Sequence, residues 1–240
     1  MTTFRFFIVC LIFSFVLSNN TNLHAQNDSP ETSSITNSQN KYFVKIPTIP
    51  VDDKKDSEQY MQEAISHFDG GRFDKCITLL NTAIETNEYG QLTDILFYYR
   101  AVAKTKLELY NEARLDYNRA IETNPSKAAY YYQRALVSFN LGEFGVSEKD
   151  FLKSIELGRT DARIYLKLGF IKEQLKDIRT AIAYYNKAIE KNTKYAEAYY
   201  YRGLVMFQVM MPQKGCEDFQ KASDLGLSVA DKKLQQYCNK

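Results

Sequence analysis

From residue 57 onward the chain repeats itself with a period of 34 residues. This constrains the fold more than any single motif, because a unit of that length is a pair of helices that cannot bury its apolar face alone. The segments 108–121 (ELYNEARLDYNRAI), 142–155 (GEFGVSEKDFLKSI) and 176–189 (KDIRTAIAYYNKAI) align at this spacing. Each follows a helical run opening on aromatics: 97–101 (FYYRA), 131–135 (YYQRA) and 165–169 (YLKLG). Each unit therefore reads as two antiparallel helices, with small residues allowing a close crossing and large ones packing against the neighbouring unit. Stability belongs to the array and not to one unit.

The pattern resembles the tetratricopeptide repeat family, whose units place a large residue at position 4, small ones at 8, 20 and 27, aromatics at 17 and 24, and often proline at 32. The second copy matches at Phe97, Ala101, Tyr110, Ala113, Tyr117, Ala120 and Pro125. The third matches at Tyr131, Ala135, Phe144, Ser147, Phe151 and Ser154, and the fourth at Tyr165, Gly169, Ile178, Ala181, Tyr185 and Ala188. The outer copies are looser. The first uses Tyr60, Ala64, Phe73, Cys76, Leu80 and Ala83, with a three-residue insertion before the second. The fifth keeps Tyr199, Gly203, Phe219 and Ala222, but has Pro212 at the aromatic turn position and Gly215 where alanine is usual.

Five copies, at roughly 57–90, 94–127, 128–161, 162–195 and 196–229, cover about three quarters of the chain. The resemblance implies an all-α domain over 56–240, a right-handed superhelical solenoid of antiparallel helix pairs. A helix over 228–239 reads as its C-terminal cap, with Val229, Ala230, Leu234 and Tyr237 covering the last repeat.

Arginine at position 7 and aspartate at position 23 arrive together: Arg100 with Asp116, Arg134 with Asp150, Arg202 with Asp218. Where one is absent so is the other, the fourth copy having Leu168 with Tyr184 and the first Glu63 with Leu79. A partly buried bridge between the two helices of a repeat accounts for this, since a desolvated arginine needs its partner and an apolar pair can replace both. The alternative makes these arginines ligand-binding groups.

The opening residues have a separate role. Arg5, the apolar run from Phe6 to Leu17 and a polar stretch ending at His24 and Ala25 read as a signal peptide, 1–25, cut after Ala25. An apolar core of about 12 residues is short of the ~20 that span a bilayer, so no permanent membrane span is expected. Cys10 lies inside that core, too early for lipid attachment. Residues 26–55, rich in Ser, Thr and Asn and broken by Pro47 and Pro50, read as a disordered tether. A short docking strand over 42–51 is the alternative. The expected location is the periplasm or the exterior of the cell.

Composition excludes several functions. Lysine and arginine number 31 against 29 acids, interspersed, with a net charge of +2; no basic stripe points to nucleic acid. After cleavage His67 is the sole histidine, and no phosphate-binding glycine loop, nucleophile elbow or paired-cysteine knuckle is present, so no catalytic residue, metal or cofactor is expected. Acid pairs such as Glu148 and Asp150 read as surface helix residues. Of the cysteines left after export, Cys76 reads as core, and Cys216 and Cys238 lie in adjacent helices where a disulfide is plausible in an oxidising compartment.

In the family that the repeats resemble, the first helices line a concave groove through positions 2, 5, 6, 9, 12 and 13. Carried over, these positions hold Tyr98, Tyr99 and Lys106 in the second copy, and Tyr132, Gln133, Phe139 and Asn140 in the third. They hold Lys167, Phe170 and Gln174 in the fourth, and Tyr200, Tyr201, Phe207 and Gln208 in the fifth. Aromatic rings with polar tips suit a protein partner, although each tyrosine could equally pack between repeats. The family's lysine and asparagine clamp for acidic chaperone termini is missing, because position 9 holds Ile65, Val102, Leu136, Phe170 and Leu204. The expected function is an exported scaffold that binds a peptide or helix of another protein in that groove. A self-associating structural subunit of an envelope complex is the alternative, and a glycan-binding accessory ranks below both.

Overall fold

The computed structural model describes residues 55–87, 90 and 92–238. The expected signal peptide and all but the last residue of the expected tether lie outside them. Eleven helices lie among the described residues: α1 (Ser57–Asp69), α2 (Phe73–Glu85), α3 (Thr93–Lys106), α4 (Tyr110–Thr123), α5 (Ala128–Asn140), α6 (Phe144–Glu156), α7 (Ala162–Gln174), α8 (Ile178–Lys191), α9 (Ala196–Gln208), α10 (Pro212–Asp224) and α11 (Ser228–Tyr237). Each odd helix from α1 to α9 packs most extensively on the even helix that follows it, and each even helix then packs on the next odd one. The architecture is the expected all-α solenoid of antiparallel pairs, with α11 as its cap.

Steric fit at the crossings explains the small residues of the repeat. Tyr117, Phe151, Tyr185 and Phe219 recur at one position of the even helices and are fully buried. Gly169 faces Tyr185 and Gly203 faces Phe219 with no room for a larger group, and Ala101 and Ala135, fully buried, hold the same position in the second and third copies. A Cβ on Gly169 would sit 2.5 Å from the Tyr185 ring, and one on Gly215 2.4 Å from the Phe207 ring. Ser147 replaces alanine at the small position of α6 and satisfies its hydroxyl by donating to the Ala135 carbonyl at 2.8 Å.

The turn inside each pair demands one left-handed residue. Gly71, Glu108, Gly142, Lys176 and Met210 occupy that position with φ between 59° and 75°. Only two of the five are glycine, so three side chains are held in a conformation costly for an L-residue. Pro212, which breaks the aromatic pattern, opens α10 at its first turn, where no intrahelical N–H is needed. At the cap, Ala230 is fully buried, whereas Val229 remains 40% exposed and Tyr237 44%. A ten-residue helix can turn only one narrow stripe toward α10, so Val229 and Tyr237 cover the last repeat while staying partly exposed.

Candidate functional site

The first helices of successive repeats bring one diagonal of rings together. Phe139 of α5, Phe170 of α7 and Tyr201 of α9 stand 31 residues apart in sequence, one helical turn less than the repeat. Each ring is therefore displaced by a turn relative to the last and meets it obliquely across neighbouring helices. Ring centroids are 5.3 Å apart from Phe139 to Phe170 and 6.2 Å from Phe170 to Tyr201. Phe144 supports Phe139 at 5.7 Å, and Tyr185 stacks on Tyr201 at 6.2 Å. All three rings of the diagonal are partly exposed, so they form a shelf and not a sealed core.

Two charged groups border this shelf. Lys167 places its ammonium 4.3 Å from the centre of the Phe139 ring. It has no carboxylate partner among the described residues, and burial lowers its pKa. Glu173 has both oxygens engaged, accepting from the Tyr185 hydroxyl at 3.0 Å and from the Gln208 amide of the next repeat at 3.0 Å. Burial and the adjoining Glu173 carboxylate push the Tyr185 hydroxyl well above its ordinary range.

The remaining groove positions divide. Asn140, Gln174 and Gln208 are exposed, while Tyr99, Lys106, Gln133 and Tyr200 are partly buried. Phe207 stacks on Phe219 at 5.5 Å and meets Tyr237 of the cap at 5.2 Å, closing the C-terminal end of the face. Tyr98 and Tyr132 require correction as partner-contacting residues, since they are only 5% and 4% exposed. Tyr98 lies 4.8 Å from the Tyr130 ring. Tyr132 lies against Phe151 at 5.7 Å, with the Arg159 guanidinium 3.7 Å over its ring. Both fill gaps between repeats, and burial pushes the Tyr98 hydroxyl up to about 12.

A second set of polar residues has a structural role. Arg134 donates from Nε and Nη2 to Asp150 at 2.7 and 2.8 Å, and from Nη1 to Asn118 of the preceding repeat at 2.8 Å. Arg100 does the same with Asp116 and Asn81, and Arg202 with Asp218 and Asn186. The role of the asparagines spans two repeats and is not visible within one copy. Their signal is an Asn at position 25 whenever the next copy has its arginine, with Leu152 standing there before Leu168. Asp150 is buried, so its reading as a surface acid is corrected; Glu148 pairs with Lys172 of the next repeat at 2.7 Å. Cys216 and Cys238 form a disulfide tying α10 to the end of α11, and Cys76 is a buried free thiol.

Among the described residues no group of three or more His, Cys, Asp or Glu side chains could hold a metal ion, and no helix is long and apolar enough to cross a membrane. A shallow pocket at the loop ends of repeats 4 and 5 is lined by Asp161, Arg163, Lys191 and Tyr195 among others. Arg159 and Arg163 both approach the Asp161 carboxylate, at 2.9 and 3.5 Å.

Comparison with known proteins agrees with this architecture. Residues 162–195 match the tetratricopeptide repeat family model. No curated protein matches the chain. Among solved structures, MamA (residue 41 to the end) from Desulfovibrio magneticus RS-1 is similar with a TM-score of 0.66 at 15% identity, over 72% of this chain and 96% of that one. A second MamA crystal structure gives a TM-score of 0.64 at 19% identity, over 77% and 96%. YrrB, described as a TPR protein with an unusual peptide-binding site, gives 0.63 at 18% identity, over 75% and 93%. These similarities establish the tetratricopeptide-type fold.

Proposed function

We propose that the chain is an exported protein-interaction scaffold that holds a peptide or helix of a partner protein on the face formed by α3, α5, α7 and α9. The observation that carries this reading is the shelf of Phe139, Phe170 and Tyr201, three partly exposed rings in a row across three repeats, with polar groups at its margin. Partly exposed aromatics with polar groups at their margin are what protein interfaces favour, because rings offer large contact area at low entropic cost. Scaffolds of this fold bind other proteins and are typically not enzymes; the similar YrrB has a peptide-binding site.

Export is supported by the charged, apolar and polar succession of residues 1–25. The Cys216–Cys238 disulfide suits an oxidising compartment and adds a second line of support. Sequencing of the N-terminus of the protein recovered from its own cells tests this part: a start at Gln26 is expected, and a retained Met1 in the bulk of the protein refutes it. In-cell crosslinking followed by mass spectrometry, run beside a Phe170→Ala, Tyr201→Ala double variant, tests the shelf. One partner protein is expected with the native chain and lost from the variant, with helicity retained. Unchanged capture, or self-crosslinks alone, would refute the shelf and favour a self-associating subunit.

A further inference from the structure

One cation at the shelf has no carboxylate partner among the described residues. Lys167 is mostly buried in α7, lies over Phe139 and next to the Phe139–Phe170 contact, and has no acid to pair with among the described residues. Lys172 pairs with Glu148 and Asp150 with Arg134, while Glu173 keeps its charge and accepts from the neutral Tyr185 and Gln208 donors. A desolvated ammonium is costly unless it meets a carboxylate or an aromatic face. The Phe139 ring covers one side of this one, and its remaining donors have no acceptor given to them by the fold.

Resting on the shelf as the binding surface, we infer that the bound segment carries an internal acidic side chain, Asp or Glu, that pairs with Lys167 while flanking apolar residues lie on Phe139, Phe170 and Tyr201. Charge complementarity selects the occupant. The single Lys167 ammonium answers a single carboxylate, whereas each Glu173 oxygen already accepts a hydrogen bond, from Tyr185 and from Gln208. Lys167 stands over Phe139 and beside the Phe139–Phe170 contact, so a segment that covers all three rings continues past it, which a chain ending at its carboxylate does not.

The test is selection of a random twelve-residue peptide display library on the full chain, with the peptides fused at their C-termini so that only side-chain acids are available. Native protein and the Lys167→Gln and Phe170→Ala variants are run in parallel, with helicity measured for each. Peptides are expected to enrich Asp or Glu next to aromatic or aliphatic residues. For a selected peptide, Asp→Asn should weaken binding about tenfold on native protein and not at all on Lys167→Gln, the size expected of one charge-assisted hydrogen bond. Apolar peptides without acid enrichment, or an Asp→Asn effect that persists on Lys167→Gln, would overturn the pairing while leaving the shelf in place. Peptides whose binding ignores Phe170→Ala, or no enrichment at all, would overturn the shelf and the pairing together.

Discussion

Arg134 holds one carboxylate with two of its donors and an asparagine of the preceding repeat with a third, so one side chain stitches both a helix pair and a repeat junction. The Asp150 side chain is 8% exposed and that of Arg134 21%, which makes breakage costly because the abandoned partner stays desolvated. Arg134→Ala should cost about 2 kcal/mol in denaturant unfolding, and Arg134→Ala, Asp150→Ala together less than the sum of the single losses. Strict additivity would show that the pair is not coupled. Pairing within a repeat was legible in the sequence, since arginine and aspartate lie 16 residues apart in each copy that has them. The asparagine was not, because its partner belongs to the next copy. Tyr98 and Tyr132 take the packing role, one of the two open to each groove tyrosine, because helical spacing gives a residue's direction and not how close the neighbouring repeat approaches. Met210 offers a separate check: it is 88% exposed with φ of 61°, so Met210→Gly should raise stability by about 1 kcal/mol, by relief of left-handed strain. A neutral or destabilising result would mean that the side chain is held by a contact this geometry lacks.

At the scale of elements, the cap α11 buries little beyond Ala230 and relies on its covalent tie to α10. The bridge closes a sequence separation of 22 residues, for which loop-closure entropy gives a stabilisation of about 3 kcal/mol. Reduction should therefore fray α11 first: amide exchange is expected to rise over Ser228–Tyr237 while α5 to α8 keep their protection. Exchange that rises evenly along the chain would show that the cap and the array unfold as one unit. Helix number, pairing and order were all readable from the 34-residue period, because each copy repeats the same steric problem. The diagonal of rings was readable only in part. Its members belong to three different positions of the repeat, and only their offset of 31 residues reveals the alignment.

Across the whole molecule, burial of titratable rings and of one thiol sets the alkaline limit of the fold. Burial pushes the Tyr98 hydroxyl from 10.0 to about 12 and the Cys76 thiol from 9.0 to about 12. Tyr117 is also raised by burial. The folded state thus keeps protons that the unfolded chain releases, so stability should be level below about pH 9 and fall toward pH 12. Denaturation midpoints across that window check this, and a flat profile would contradict the burial of these groups. The central claim is that the face of the first helices is the working surface. It is tested most directly by placing a photoreactive residue at the exposed Gln174 of α7 or at Leu115 of α4, which is 63% exposed, and irradiating the full chain in its own cells. The account predicts one protein captured from position 174 and not from position 115; capture of the same protein from 115 alone would contradict it.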